Sequence, residues 1–154
     1  MGVEIERKFL VRSDAWRAAA DPGSHYVQAY LCADPDRTVR VRLAGEAAWL
    51  TLKGRGTGVA RPEFEYAIPA ADARALLALC LPGRVEKIRY RVPVGRHVFE
   101  VDVFAGDHAG LVLAEVELGA EDEHFDRPAW LGKEVTRDRR YANSALAATP
   151  GVPI

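Results

Sequence analysis

Apolar and polar positions alternate with a period of two over most of this chain, the repeat of β-strands, whose successive side chains point to opposite faces. Gly, Pro and Asp interrupt the alternation at hairpin-like distances. The segments so delimited predict strands near 2–12, 25–33, 36–44, 47–54, 60–68, 84–94, 96–104, 111–118 and 133–136. Nine strands are enough to close a barrel. Helices are predicted where the period changes: over 13–20 after the cap-like Ser13-Asp14, over 70–81 through Asp72 to Leu79, and over 138–147, where alanine is frequent. No linker, low-complexity run or internal repeat divides the sequence, and Thr149 to Pro153 is expected to be a loose end.

The polar positions of the strands are charged, and the charges are sorted by strand. Glu4, Glu6 and Lys8 share one face of the first strand, opposite Val3, Ile5 and Phe9. Arg40 and Arg42, Thr51 and Lys53, Glu63 and Glu65, then Lys87, Arg89 and Arg91 follow in the same alternation. Glu100 and Asp102, then Glu115 and Glu117, complete it. One explanation is a sandwich whose solvent faces carry these residues. Solvent faces usually mix signs and include Ser, Thr, Gln and Asn, however, whereas like charges two residues apart repel unless something lies between them. A divalent metal between carboxylates and phosphate between cations would relieve both sets. In that arrangement the charged faces turn inward and the apolar exterior needs cover from the helices.

Composition narrows the function classes. With 49% hydrophobic and 28% charged residues, the chain can bury the core of one compact domain. Its 21 Lys plus Arg against 22 Asp plus Glu leave a formal net charge of -1, so neither a nucleic-acid nor a membrane partner is expected and any anion site must be local. No apolar run approaches the roughly 20 residues of a membrane span, and the start lacks a secretory pattern, so a cytoplasmic location is expected. Cys32 and Cys80 stand in no CxxC arrangement and read as small buried thiols.

The segment Glu4-Ile5-Glu6-Arg7-Lys8 has the Glu-x-Glu-x-Lys form, placed near the N-terminus, of the CYTH superfamily, the triphosphate tunnel metalloenzymes. Thr38-Val39-Arg40-Val41-Arg42, Leu52-Lys53-Gly54, Glu63-Phe64-Glu65, Lys87-Ile88-Arg89-Tyr90, Phe99 to Phe104 and Gly110 to Glu117 follow in that family's order. Gly132-Lys133-Glu134-Val135-Thr136, with Asp138, Arg140, Tyr141 and Asn143, resembles its short bacterial branch. The match runs over residues 2 to 147 with no departure at the charged positions.

This resemblance implies an α+β, mainly β fold: a closed eight-stranded antiparallel β-barrel, or tunnel, with flanking helices and a C-terminal plug helix, forming a single domain over 1–154. It implies hydrolysis of the terminal phosphoanhydride of a small triphosphate with Mg2+ or Mn2+, by a monomer or homodimer. Glu4, Glu6, Glu115 and Glu117 are then the metal-binding carboxylates. Lys8, Arg40, Arg42, Lys53, Lys87 and Arg89 form the phosphate cradle, joined from the plug by Arg140 or Tyr141. Glu4, Glu6 and Lys8 are the expected catalytic centre, and Glu63, Glu65, Glu100 and Asp102 are candidates for a second metal or for placing water. Glu100 and Asp102 have an equal alternative, which is to hold neighbouring Arg side chains.

Inorganic tripolyphosphate is the leading substrate on this resemblance. Thiamine triphosphate and nucleoside triphosphates are alternatives in the same tunnel, and a class IV-type adenylate cyclase or a non-catalytic polyphosphate-binding module is an alternative of another kind. Lys53-Gly54-Arg55-Gly56-Thr57-Gly58 lacks Walker spacing and reads as a hairpin. Trp16, Trp49 and Trp130 read as packing residues, and the four histidines stand in no catalytic pattern.

Overall fold

The computed structural model describes residues 2–153. Its strands are β1 (Gly2–Val11), β2 (Ser24–Asp34), β3 (Arg37–Ala44), β4 (Ala47–Gly54), β5 (Ala60–Pro69), β6 (Val85–Val94), β7 (His97–Ala105), β8 (Val112–Glu117) and β9 (Leu131–Glu134). Two helices, α1 (Ala70–Leu77) and α2 (Asn143–Ala148), accompany them. The strands run β5-β4-β3-β2-β6-β7-β8-β1-β9, and a further pairing of β5 with β1 closes eight of them into a ring.

Closure depends on β1. Gly2 to Ile5 pair with Glu63 to Ala60 of β5, and Glu6 to Leu10 pair with Glu117 to Leu113 of β8. The Ile5 carbonyl accepts from the Leu118 N–H and the Lys8 carbonyl from the Val135 N–H, both at 2.8 Å. Backbone groups of neighbouring residues point to opposite edges, so β9 takes up the edge of β1 that β5 leaves.

A ring of alternating strands has an inner and an outer face, and burial differs between them. On the outer face, Phe9, Val92, Phe99, Val101 and Val116 are covered by Trp16, Phe125 and Trp130. Across the ring, Ala29, Val41 and Ala48 are covered by Ala73 and Leu77 of α1. The helices leave part of the outside bare: Val3, Leu52, Phe64 and Tyr66 of β1, β4 and β5 are exposed. The inner face divides along its length. Leu10, Tyr30, Val85, Phe104 and Leu113 lie in phase with the charged residues but form an apolar cluster with Tyr141, Leu146 and Ala147, so the C-terminal segment stoppers one end.

The helical segments are shorter than the sequence predicts. Over 13–20 there is one 3-10 helix, Ala15–Ala19, with buried Trp16 as its anchor. α1 ends at Leu77 because Ala78, Leu79 and Cys80 bond three residues back instead of four, after which Leu81 N–H reaches the Tyr30 carbonyl. The expected helix over 138–147 is a 3-10 turn, Arg139–Tyr141, and then α2, separated by Ala142 at φ -66 and ψ 138. Asp138 caps the turn on the Arg140 N–H, and the break lets Tyr141 and Leu146 both reach the apolar end of the interior. Strand ends match to within a residue except at β9, which begins at Leu131 rather than 133. Among the described residues no helix is long and apolar enough to cross a membrane.

Phe99 is fully buried, with the Phe125 and Trp130 rings edge-on at 6.2 and 5.5 Å. Phe99→Ala is expected to cost about 3–5 kcal/mol in urea unfolding. Phe64→Ala, on the bare outer face, should cost much less, and equal losses at the two positions would contradict this division of the outer surface.

Candidate active site

The ring encloses a cavity of about 280 Å3 lined almost wholly by polar side chains. β3 contributes Arg40 and Arg42, β4 Thr51 and Lys53, β5 Arg61, Glu63 and Glu65, and β6 Arg89 and Arg91. Glu4, Glu6 and Lys8 of β1 enter from the opposite wall with Glu100 of β7 and Glu115 and Glu117 of β8. Period-two alternation puts them all on one face, and ring closure makes that face the inside.

Some of these charges are matched. Asp102, at 1% exposure, accepts from Arg89 through Nε at 2.8 Å and Nη2 at 2.9 Å and also meets Lys87 Nζ at 2.7 Å. Burial opposes charge on all three. Arg89 and Lys87 nevertheless hold the Asp102 carboxyl below its ordinary pKa, and Asp102, Glu100 and Glu115 keep Arg89 firmly charged. Lys87 is the second cation on one carboxylate, and burial, with Arg89 and Arg42 nearby, draws its ammonium down to about 7. Glu4 is likewise tied: Lys53 lies at 2.9 Å and Arg61 at 3.3 Å. Burial would raise the Glu4 carboxyl, but these two cations outweigh it and pull it to about 2.

Other charges lack a match. Arg42 has no carboxylate within ion-pair distance among the described residues; its Nε donates to Gln28 Oε1 at 2.9 Å and its guanidinium lies 4.9 Å from the Tyr26 ring. Burial, then Arg40 and Arg89, lower its pKa to about 10. Arg40 meets Thr51 at 3.2 Å and Glu65 at 3.6 Å, but its Nε is buried with no partner. A buried donor without an acceptor is costly, so this corner of the cavity is made for an anion.

The acidic wall has the converse deficit. Glu6 stands directly opposite Glu117, and Glu100 opposite Glu115, where like charges destabilise a sheet. Burial, then Glu115 and Glu4, push the Glu6 carboxyl well above its ordinary value. Glu117 is raised by burial and by Glu4, Glu63 and Glu100, and Glu63 by burial and Glu4. Among the described residues no three carboxylates converge closely enough to hold a metal unaided. Crowded carboxyl oxygens with raised pKa values fit a hard divalent cation that takes few protein ligands and completes its shell with water and substrate oxygens.

Of the residues singled out in the sequence, Glu4, Glu6, Lys8, Arg40, Arg42, Lys53, Glu63, Glu65, Arg89, Glu115 and Glu117 share this cavity. Lys87 and Asp102 sit behind its wall as a buried pair. Arg140 does not line it; its guanidinium lies on the surface against Asp138 at 2.7 Å. Trp49, read as a packing residue, faces the cavity, as do Tyr26, Tyr30, Arg61, Asn143 and Ser144. Arg61 could have been found by counting back two residues from Glu63. Gln28 carried only a faint signal, a lone amide between two tyrosines on the inner face of β2.

A closed antiparallel ring with a cation-rich wall facing a carboxylate wall has the chemistry to take an anion together with a divalent cation. The CYTH domain family matches residues 2–147, and the chain belongs to that family. It is 45% identical over 151 residues to an inorganic triphosphatase of Acetivibrio thermocellus, covering 97% of this chain and 96% of the relative. It is 42% identical over 152 residues to an inorganic triphosphatase of Nitrosomonas europaea, covering 94% and 96%. A solved structure of an inorganic triphosphatase superposes with TM-score 0.66 at 36% identity, covering 96% of this chain and 99% of that one. The family implies a divalent metal, in keeping with the carboxyl wall.

The folded state holds the Glu6 proton more tightly than the unfolded chain does, so the favourable contribution is complete below the ordinary carboxyl pKa of 4.5 and is lost as pH rises through the folded value. Glu6→Gln should therefore raise the melting temperature of the metal-free protein by a few degrees, about 2–4 °C per kcal/mol, with a gain that grows from pH 5 to pH 8. A gain that shrinks over that range would contradict the assignment.

Proposed function

We propose that this chain is an inorganic triphosphatase that cleaves the terminal phosphoanhydride of tripolyphosphate, with Mg2+ or Mn2+ as cofactor and the whole chain acting as one tunnel domain. The observation that carries this reading is the pair Arg40 and Arg42, one with an orphaned buried Nε and the other with no carboxylate at ion-pair distance among the described residues. Two relatives named inorganic triphosphatase, each covering nearly the whole chain, support the same choice over a nucleotide cyclase or a passive binding module. The cytoplasm, a small-molecule partner rather than nucleic acid or membrane, and a monomer or homodimer belong to this reading, consistent with a net charge of -1.

Arg40 and Arg42 grip phosphate oxygens through guanidinium forks, and Lys8 supplies a point charge beside them. Lys53 stands between Glu4 and Glu63, at 2.9 and 3.4 Å, where it can turn from carboxylate to phosphate. Arg89 and Lys87 contribute positive potential, with Asp102 fixing their positions. Glu4, Glu6, Glu115 and Glu117 would hold the divalent ion. That ion would supply charge neutralisation on the phosphate oxygens and a lowered pKa for bound water.

Water attacks the terminal phosphorus, the bond to the bridging oxygen breaks, and orthophosphate and pyrophosphate leave. Glu63, which lines the cavity and has its carboxyl raised by burial and by Glu4, would accept the proton that water gives up. Glu65 accepts from Thr51 at 2.8 Å and thereby steadies Arg40. Fixed charges in a closed ring need little reorganisation as the bond breaks, which is the main requirement of phosphoryl transfer.

The direct test is phosphate release from tripolyphosphate, ATP, thiamine triphosphate and pyrophosphate with Mg2+ or Mn2+. Tripolyphosphate should be preferred, and cyclic AMP formation from ATP as the main reaction would overturn the proposal. Arg42→Ala should lower kcat/KM for tripolyphosphate about 100-fold or more in a folded protein. Glu63→Gln should lower kcat by at least about 100-fold with little change in KM.

A further inference from the structure

Arg42 and Lys8 face the cavity, and each is oriented by a neutral acceptor. Lys8 Nζ donates to the Tyr141 carbonyl at 2.9 Å, and Arg42 Nε to the Gln28 side-chain carbonyl at 2.9 Å. Gln28 is fully buried, and its Nε2 donates to Asn143 Oδ1 at 3.0 Å. The same Oδ1 accepts from Lys87 Nζ at 3.1 Å, and Lys87 continues through Asp102 to Arg89. Six side chains, Arg42, Gln28, Asn143, Lys87, Asp102 and Arg89, thus form one chain of hydrogen bonds and an ion pair along the wall.

The two amides in this chain have no freedom to turn over. Guanidinium and ammonium groups donate and never accept. Gln28 must therefore show its oxygen to Arg42 and its NH2 to Asn143, and Asn143 must show its oxygen to Lys87 and Gln28. An amide here does something a carboxylate could not: it fixes the direction of a cation without cancelling its charge. The other strong cations of the site, Arg89 and Lys53, are tied to carboxylates. Both neutral tethers lead to the segment Tyr141 to Asn143, where the C-terminal stopper meets the cavity.

We propose that Gln28 and Asn143 are positioning residues through which the C-terminal segment aims Arg42 at the substrate while leaving its charge uncompensated. The stopper is then part of the phosphate site as well as a cover for its apolar end. This inference rests on the triphosphatase reading for its substrate. Its geometry is independent of turnover.

Asn143→Asp separates this role from a structural one, because an aspartate keeps both acceptor bonds and adds a negative charge. The variant should melt at or above the wild-type temperature, yet its KM for tripolyphosphate should rise about tenfold or more, with a smaller change in kcat. Gln28→Glu, which keeps the Arg42 contact and neutralises it but gives up the donor to Asn143, should likewise raise KM, at a cost in melting temperature, and Asn143→Ala should lose both affinity and kcat. Calorimetric binding of tripolyphosphate to the same proteins gives a readout that needs no hydrolysis. Wild-type affinity and KM in folded Asn143→Asp would overturn the inference, and so would unchanged KM in folded Gln28→Glu. A wild-type protein that binds tripolyphosphate without releasing phosphate would instead count against the triphosphatase reading alone.

Discussion

The double pairing of β1, with β5 along its first residues and β8 along the next, is the constraint from which the rest follows. Once that strand closes the ring, every second side chain of eight strands must point into one confined space. The alternation that would otherwise make a water-facing surface instead gathers carboxylates and cations at short range. Solvent can no longer screen them as it would outside, so each charge has to find a partner or remain in deficit.

Both outcomes occur, and their distribution gives the cavity its chemistry. Asp102 with Arg89 and Lys87, and Glu4 with Lys53 and Arg61, are satisfied within the protein and stiffen the wall. Arg40 and Arg42 are left short of anions, while Glu6 and Glu117 are left short of cations and Glu63 shares Lys53 with Glu4. On the proposed function, a polyphosphate bound with a divalent metal would supply what each wall lacks. Such unmatched charges cost stability that bound ligands would relieve, the usual relation between a functional site and the fold that carries it.

The apolar residues solve the complementary problem. Outside the ring, Trp16, Phe125, Trp130 and α1 shield the strands' second face. Inside, Leu10, Tyr30, Val85, Phe104 and Leu113 change the character of the interior partway along, and Tyr141 and Leu146 complete that half. The extended backbone at Ala142 is the hinge of this arrangement. It places the Tyr141 carbonyl on Lys8 and Asn143 on Gln28 and Lys87, so the residues that close the apolar end also reach the charged one.

The alternation by itself determined the nine strands, and the sorting of charge by strand determined which residues would share a face. Both are local properties, because side-chain direction along a strand depends only on position parity. The resemblance in Glu4 to Lys8 and the motifs after it added the ring and its contents. What sequence could not assign was which charges would be paired, since Asp102 and Glu63 look equivalent in their strands and differ only in the neighbours that closure brings. Asp102 lies behind the wall between two cations, Arg140 is held on the surface by Asp138, and Trp49 turns inward. The role of Gln28 was equally hidden, because an amide acquires one only when Arg42 and Asn143 approach from other parts of the chain. Partnership is a property of distances across the ring, and those exist only once β1 has closed it.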